Sequence, residues 1–275
     1  MTGRMDGRTA VVVGAGQPAH ELLGNGRAIA TVLGREGAEV CAVDRDPARV
    51  EETVEEITAA GGRAHAIVAD ISKPEDCARL VAEAHTAMGR IDAFVNNVGM
   101  NAGDDDPVNL TEEAWQRIMD VNLRGTWLTS RAVLPIMMEQ HSGVITNISS
   151  VAARIGGNRL AYGVSKAGVN ALTHAIAVNY AEWGIRCNSV MPAWIATPHA
   201  MEGMIGAGTS TTEADVMELG RRLAPLGRMG TAMDIANAVL FLSSDEGGFV
   251  TGLDLPVDGG TLSVIGASKR AAAEK

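Results

Sequence analysis

The sequence predicts an α/β fold: a doubly wound, Rossmann-like parallel sheet in a single domain, with helices on both faces. Three observations carry this. Short β-branched apolar runs alternate with longer stretches of helical character. The runs are hydrophobic almost throughout rather than at every second position, as strands covered on both faces must be. The first run leads straight into a glycine-rich turn that opens a helix. A chain of 275 residues, 46% hydrophobic and 20% charged, suits one domain of this size.

The elements follow in order. Strands are expected at Thr9–Val13, 39–43, 64–69, 91–96, Gly143–Ile148, 186–190 and 249–257. Between them, a helix over 26–35 ends at Gly37. A second is opened by Asp46-Pro47 and closed by Gly61-Gly62, with proline near the start and glycine just past the end. Ser72 and Glu75 have capping-box spacing and open a third. Thr111 and Glu112 begin a long helix towards Gln140, and Leu160 to Trp183 is another, followed by Gly184. Such repeated units predict right-handed crossovers. One catalytic, cofactor-binding domain is expected over 1–265, with a mobile flap over the substrate at about 198–223 and a short tail at 266–275.

Composition excludes several functions. The 33 acidic and 23 basic residues leave a net charge of −10, which repels nucleic-acid phosphates and anionic lipid. No run approaches the ~20 apolar residues that span a bilayer, and the first apolar run is too short for a secretory signal. Three widely spaced cysteines, Cys41, Cys77 and Cys187, read as reduced thiols of a cytoplasmic protein. A nucleophile elbow is missing, since Gly163 to Gly168 holds one residue too many. No Gly-Lys pair exists for a phosphate-binding P-loop, and six scattered histidines form no zinc motif, so no metal is expected. Of these histidines, His20 is a candidate for phosphate and His199 for substrate.

Two clusters carry chemistry. In the first, Gly14-Ala15-Gly16 and Gly24-Asn25-Gly26 let a pyrophosphate approach the backbone and a helix N-terminus. Asp44, 18 residues after Gly26, can accept both ribose hydroxyls and repel a 2′-phosphate, whereas Arg45 could pair with one. NAD is therefore favoured over NADP; the other reading of Asp44 is a helix cap. In the second cluster, Tyr162 and Lys166 stand four apart on one helix face. An ammonium near a phenol favours the phenolate and brings it towards the range of general acid–base catalysis. Ser149 and Ser150 end the preceding strand, where a serine could hold a substrate oxygen beside the phenol.

With Asp70 after the third strand, Asn96-Asn97-Val98-Gly99 after the fourth, Pro192 to Thr197 after the sixth and Asp258-Gly259-Gly260 after the last, the chain from about Thr9 to Gly260 resembles the single-domain branch of the short-chain dehydrogenases/reductases. It departs from the family in four places, one being the 12-residue spacing of Ser150 to Tyr162. Val13 replaces a threonine that would tie the glycine turn to the Asn-Asn loop. Gly14 and Gly24 stand 10 apart, so the phosphate loop is extended within 17–23. Ala193 replaces a glycine.

The resemblance implies that Asp70 bonds the adenine amino group and the Ile71 backbone its ring, while Asn96 and Gly99 line the ribose and the cleft floor. It implies a catalytic set of Asn122, Ser150, Tyr162 and Lys166. Tyrosine would move the proton, lysine would hold the nicotinamide ribose, serine would polarise the substrate oxygen, and Asn122 would sit at a helix irregularity supporting a relay water. Ser149 matches the family's spacing to Tyr162, but anchoring from the strand favours Ser150. Pro192, the Ile195 backbone and Thr197 would meet the nicotinamide. The expected function is NAD(P)-dependent hydride transfer to or from a secondary alcohol or ketone. Met201, Met204 and Ile205 suggest a partly hydrophobic one. By analogy the chain is a homotetramer, built through the two long helices, the last strand and 260–265. The competing readings are a divergent enoyl-thioester reductase, against which the Tyr162–Lys166 spacing counts, and a non-catalytic NAD-binding sensor or scaffold.

Overall fold

A computed structural model describes residues 3–157, 159–205 and 211–264; the expected tail at 266–275 lies outside them. The strands are β1 (Thr9–Val13), β2 (Glu39–Asp44), β3 (Arg63–Val68), β4 (Ala93–Asn96), β5 (Gly143–Ile148), β6 (Ile185–Pro192) and, after a two-residue pair β7 (Ile195–Ala196) and β8 (Gly230–Thr231), β9 (Asp254–Val257). Seven form one parallel sheet in the order β3-β2-β1-β4-β5-β6-β9. The order reverses between β1 and β4, and a crevice opens beyond their C-terminal ends.

Helices cover both faces: α1 (Asn25–Arg35), α2 (Pro47–Ala59), α3 (Pro74–Met88), α4 (Glu112–Met119), α5 (Thr126–Gln140), α6 (Leu160–Asn179), α7 (Pro198–Met204), α8 (Glu213–Leu223) and α9 (Ala232–Ser243). β1 shows why its run is continuously apolar. Ala10 and Val12 pack into the layer under α1, α2 and α9, whereas Val11 and Val13 pack into the opposite layer under α3, α5 and α6.

Several expected boundaries move, each for a local reason. The capping box at Ser72 does not form: the Ser72 N–H and hydroxyl both donate to Asp70 Oδ1, and the helix starts at Pro74 with Lys73 as its cap. Between α4 and α5 lies a π-helical segment, Asp120–Gly125, that widens one turn. α6 stops at Asn179 and passes through a single 3₁₀ turn to Gly184, whose φ is +68°. The last strand shortens to Asp254–Val257 because Gly252, at φ +70°, turns the chain just before it. α9 goes unread in the sequence, although Thr231 and Asp234 form a capping box and Ile235, Val239 and Leu242 make its buried stripe.

Candidate active site

The glycines at the nucleotide end are required by close backbone approach. Gly14 has φ +80°, and a Cβ there would lie 2.9 Å from Val98 Cγ2. A Cβ on Gly26 would run into the Gly14 carbonyl oxygen. A Cβ on Gly16 would stand 2.6 Å from Asp44 Cγ. Asp44 Oδ2 accepts the Gly16 N–H at 3.0 Å and Oδ1 that of Asp46 at 3.1 Å. The cap of α2 is Asp46, so Asp44 is not that cap.

The hydroxyl lost with Val13 has a substitute that sequence reasoning missed. Asn97 Nδ2 donates to the Gly14 carbonyl at 2.9 Å and its N–H to Val13 O at 3.0 Å, which ties the two loops together. Pro18 of the extended loop lines the cleft, while its neighbours bond and pack within the protein. Gln17 Oε1 accepts the Gly24 N–H at 2.7 Å, His20 Nε2 lies 3.1 Å from Glu213 Oε1 on α8, and Leu22 packs against Met201, Val216 and Met229.

One cleft of about 710 Å³ brings together Gly14, Gly16, Gly24, Asn25, Gly26, Asp44, Arg45, Asp70, Ile71, Gly99, Ser150, Tyr162, Lys166, Pro192, Ile195 and Thr197. Asn96 does not line it. Its side chain points into the interior, where it accepts from Thr129 Oγ1 at 2.7 Å and donates to Asn147 Oδ1 at 2.9 Å, because a buried amide needs partners that the sheet interior supplies. Ala193 needs no glycine, since His141 is the one non-glycine at positive φ among the described residues.

At the catalytic end the two serines separate. The Ser150 hydroxyl lines the cleft with the Tyr162 phenol, near enough to lower its pKa, and accepts the Ala152 N–H at 3.1 Å. Ser149, which also lines the cleft, has its Oγ engaged as a donor to the Lys166 carbonyl at 3.1 Å. Buried Lys166 donates from Nζ to Ile148 O at 2.8 Å, with Nζ 5.7 Å from the Tyr162 ring centroid. A Cβ on Gly99 would come within 3.1 Å of that Nζ, which requires a small residue there.

The expected lowering of the phenol pKa is reversed in the protein alone. Burial raises it, outweighing the nearby Ser150 hydroxyl and the Arg159 charge, which lower it. Burial likewise pulls Lys166 down to about 8. Asn122 lies in the π-helical segment, but its amide is taken up elsewhere. Oδ1 accepts the Met100 N–H at 2.8 Å, and Nδ2 donates to Met100 O at 2.9 Å and to Ser165 Oγ at 3.0 Å.

The region expected as a flap holds α7 and α8; 206–210 and the Met204 side chain lie outside the described residues. Met201 and Ile205 do not face the substrate side. They join Val216, Met229 and Trp194 in an apolar cluster of the flap itself, the face of a short amphipathic helix that water disfavours. His199 and Glu202, one turn apart, line the cleft instead, opposite Arg159 and Asp104. The His199 pKa is lowered, first by burial and then by the Lys166 charge.

The cleft fits a dinucleotide on two counts. The Gly14–Gly26 contact leaves a cradle that any side chain would fill, and the buried Asn25 Oδ1 accepts no hydrogen bond among the described residues.

A family model described as enoyl-(acyl carrier protein) reductase matches residues 22–261. The 2-(S)-hydroxypropyl-CoM dehydrogenase 3 of Xanthobacter autotrophicus is 36% identical over 267 residues, covering 96% of this chain and 100% of that one. The cyclohexanol dehydrogenase of an Acinetobacter species is 34% identical over 260 residues, covering 94% and 96%. The structure of carveol dehydrogenase from Mycobacterium avium, in complex with NAD, superimposes with a TM-score of 0.88 at 30% identity, covering 96% and 100%. The chain belongs to the short-chain dehydrogenase/reductase family and is an NAD(P)-linked oxidoreductase that passes hydride between nicotinamide and a secondary alcohol or its ketone.

Proposed function

We propose that this dehydrogenase prefers NAD and acts on a secondary alcohol or ketone carrying a further polar group, with Tyr162 as the proton carrier. The observation that carries the reading is the meeting of Ser150, Tyr162 and Lys166 on one cleft, with Lys166 Nζ 5.7 Å from the centroid of the Tyr162 ring. When bound, the nicotinamide supplies the hydride acceptor or donor. The chain supplies the rest: Tyr162 Oη takes the proton from the alcohol or returns it to the ketone oxygen, and the Ser150 hydroxyl holds that oxygen beside the phenol. Lys166 Nζ would hold the nicotinamide ribose hydroxyls. Asn122 acts by fixing Met100 and Ser165 on either side of the site.

The preference for NAD is supported by Asp44 at the end of β2 on the cleft, a carboxylate that would accept ribose hydroxyls and repel a 2′-phosphate. A polar substrate is favoured by His199, Glu202 and Arg159 on the cleft and by the inward turn of Met201. Trp127 on α5 and Val178 on α6, 45% and 78% exposed, support association of copies through the long helices as a homotetramer. The proposed contact at 260–265 reaches beyond the described residues. Three buried free thiols accord with a cytoplasmic site of action.

The test is an NADH and NADPH assay over paired ketones, hydroxylated or carboxylated against plain cyclic, with Asp44→Ala as the cofactor probe. Tighter NADPH binding by the wild type, or turnover of the plain ketones alone, would overturn the respective part. Dinucleotide binding without turnover of any ketone would favour the sensor reading.

A further inference from the structure

A helix leaves its first N–H groups without intrahelical partners, and they are ordinarily met by a capping side chain at its own start. α6, which carries Tyr162 and Lys166, has none: its N-cap residue Arg159 makes no side-chain cap bond. The partners come instead from the loop after β4. Asp104 Oδ1 accepts the Ala161 N–H at 3.0 Å, Asp104 Oδ2 accepts the N–H of Tyr162 itself at 2.8 Å, and the Asp105 carbonyl accepts that of Leu160 at 3.2 Å. A carboxylate there also meets the positive end of the helix dipole.

That loop is anchored at several points along its length. It leaves Gly99 beside Lys166 Nζ, is pinned at Met100 by Asn122 and at Ala102 by Arg117 (3.0 Å), and turns through Gly103 at φ +80°. We propose that Asp104 is a positioning residue for catalysis, clamping the first turn of α6 from the cleft wall so that the Tyr162 phenol stays against Ser150. The proposal rests on Tyr162 being the proton carrier. It makes the register of the reacting phenol depend on a cleft loop rather than on the helix's own sequence.

The test uses Asp104→Ala and Asp104→Asn in the full chain. Hydrogen exchange of the amides at 160–163 should quicken roughly ten-fold in Asp104→Ala, the scale of a lost helix cap, with the strands unchanged. Tyr162 and Tyr180 are the two tyrosines of the chain, so absorbance titration near 295 nm, with Tyr162→Phe as the blank, isolates the one phenol. Its pKa should fall towards the ordinary value, because burial is the larger of the two influences that a loosened turn relieves. In turnover, kcat should drop about ten-fold with the KM for NADH unchanged. Asp104→Asn keeps one acceptor oxygen and should recover part of each effect.

Unchanged exchange and titration in Asp104→Ala would overturn the proposal, as would loosening spread over the whole domain or equal losses in kcat and NADH affinity. Exchange and titration need no alcohol, so they stand even where the dehydrogenase reading fails.

Discussion

The two ends of the cleft are built by different means. At the nucleotide end, close packing leaves no room for side chains: Gly14, Gly16 and Gly26 are set by atoms a Cβ would displace, and the partners lie on the glycine turn itself, on Asp44 and Arg49, and on the loop at Asn97 and Val98. At the catalytic end, side chains are held in place from far along the chain, with Ser150, Asn122 and Asp104 all converging on α6. The first end should fail when volume is added, the second when a hydrogen-bond partner is removed.

The sharpest way to break this contrast is Tyr162→Phe. Removing the proton carrier should cut kcat by roughly 10²–10⁴-fold while NADH binding, followed by fluorescence, stays at the wild-type level. A comparable loss of NADH affinity would merge the two ends. Ser150→Ala should reduce kcat about 10²-fold, as loss of a donor to a reacting oxygen does. Ser149→Ala should do much less, because that hydroxyl already bonds the Lys166 carbonyl; equal losses would reassign the serine.

Gly26→Ala should cost about 2 kcal/mol, seen as weaker dinucleotide binding and a lower Tm, through overpacking against Gly14. The Tyr162 titration should not move with it.

The last test concerns what the two halves share. Cys41 on β2 and Cys77 on α3 have thiols pushed up by burial to about 12 and about 11, and Cys187 on β6 is raised further by the same cause. Raised acids stabilise the fold fully below the unfolded thiol value of 9.0 and lose that contribution as pH climbs through the folded values. Each thiol therefore contributes a slope of at most about 1.4 kcal/mol per pH unit above that point. Lys166 acts with the opposite sign: its depressed pKa gives a contribution present above 10.5 and lost as pH falls through about 8. Urea denaturation from pH 8 to 11 should show stability falling above pH 9, and alanine at Cys41 or Cys187 should flatten the fall by similar amounts.

Much of the frame was legible in the residues. β1 and β5 have the boundaries their apolar runs predict, and the spacing of Tyr162 and Lys166 already placed them on one helix face. Misread positions are those where a partner distant in sequence competes with a local rule. Ser72 would cap a helix if Asp70 did not take both its donors, and Met201 would face the substrate if the flap did not need a core of its own. Asn96 belongs to the same class, its amide drawn inward by Thr129 and Asn147.

By itself the sequence determined the strand–helix alternation, the glycines at the turn and the residue types of the catalytic set, because periodicity, φ preference and side-chain chemistry are properties of short windows. Only the tertiary structure decided which serine faces the phenol, which asparagine replaces the missing threonine hydroxyl, and that an aspartate 58 residues before Tyr162 supplies the cap of that helix. Hydrogen bonds and burial act between atoms near in space, and in a doubly wound sheet those neighbours come from strands and loops far apart along the chain.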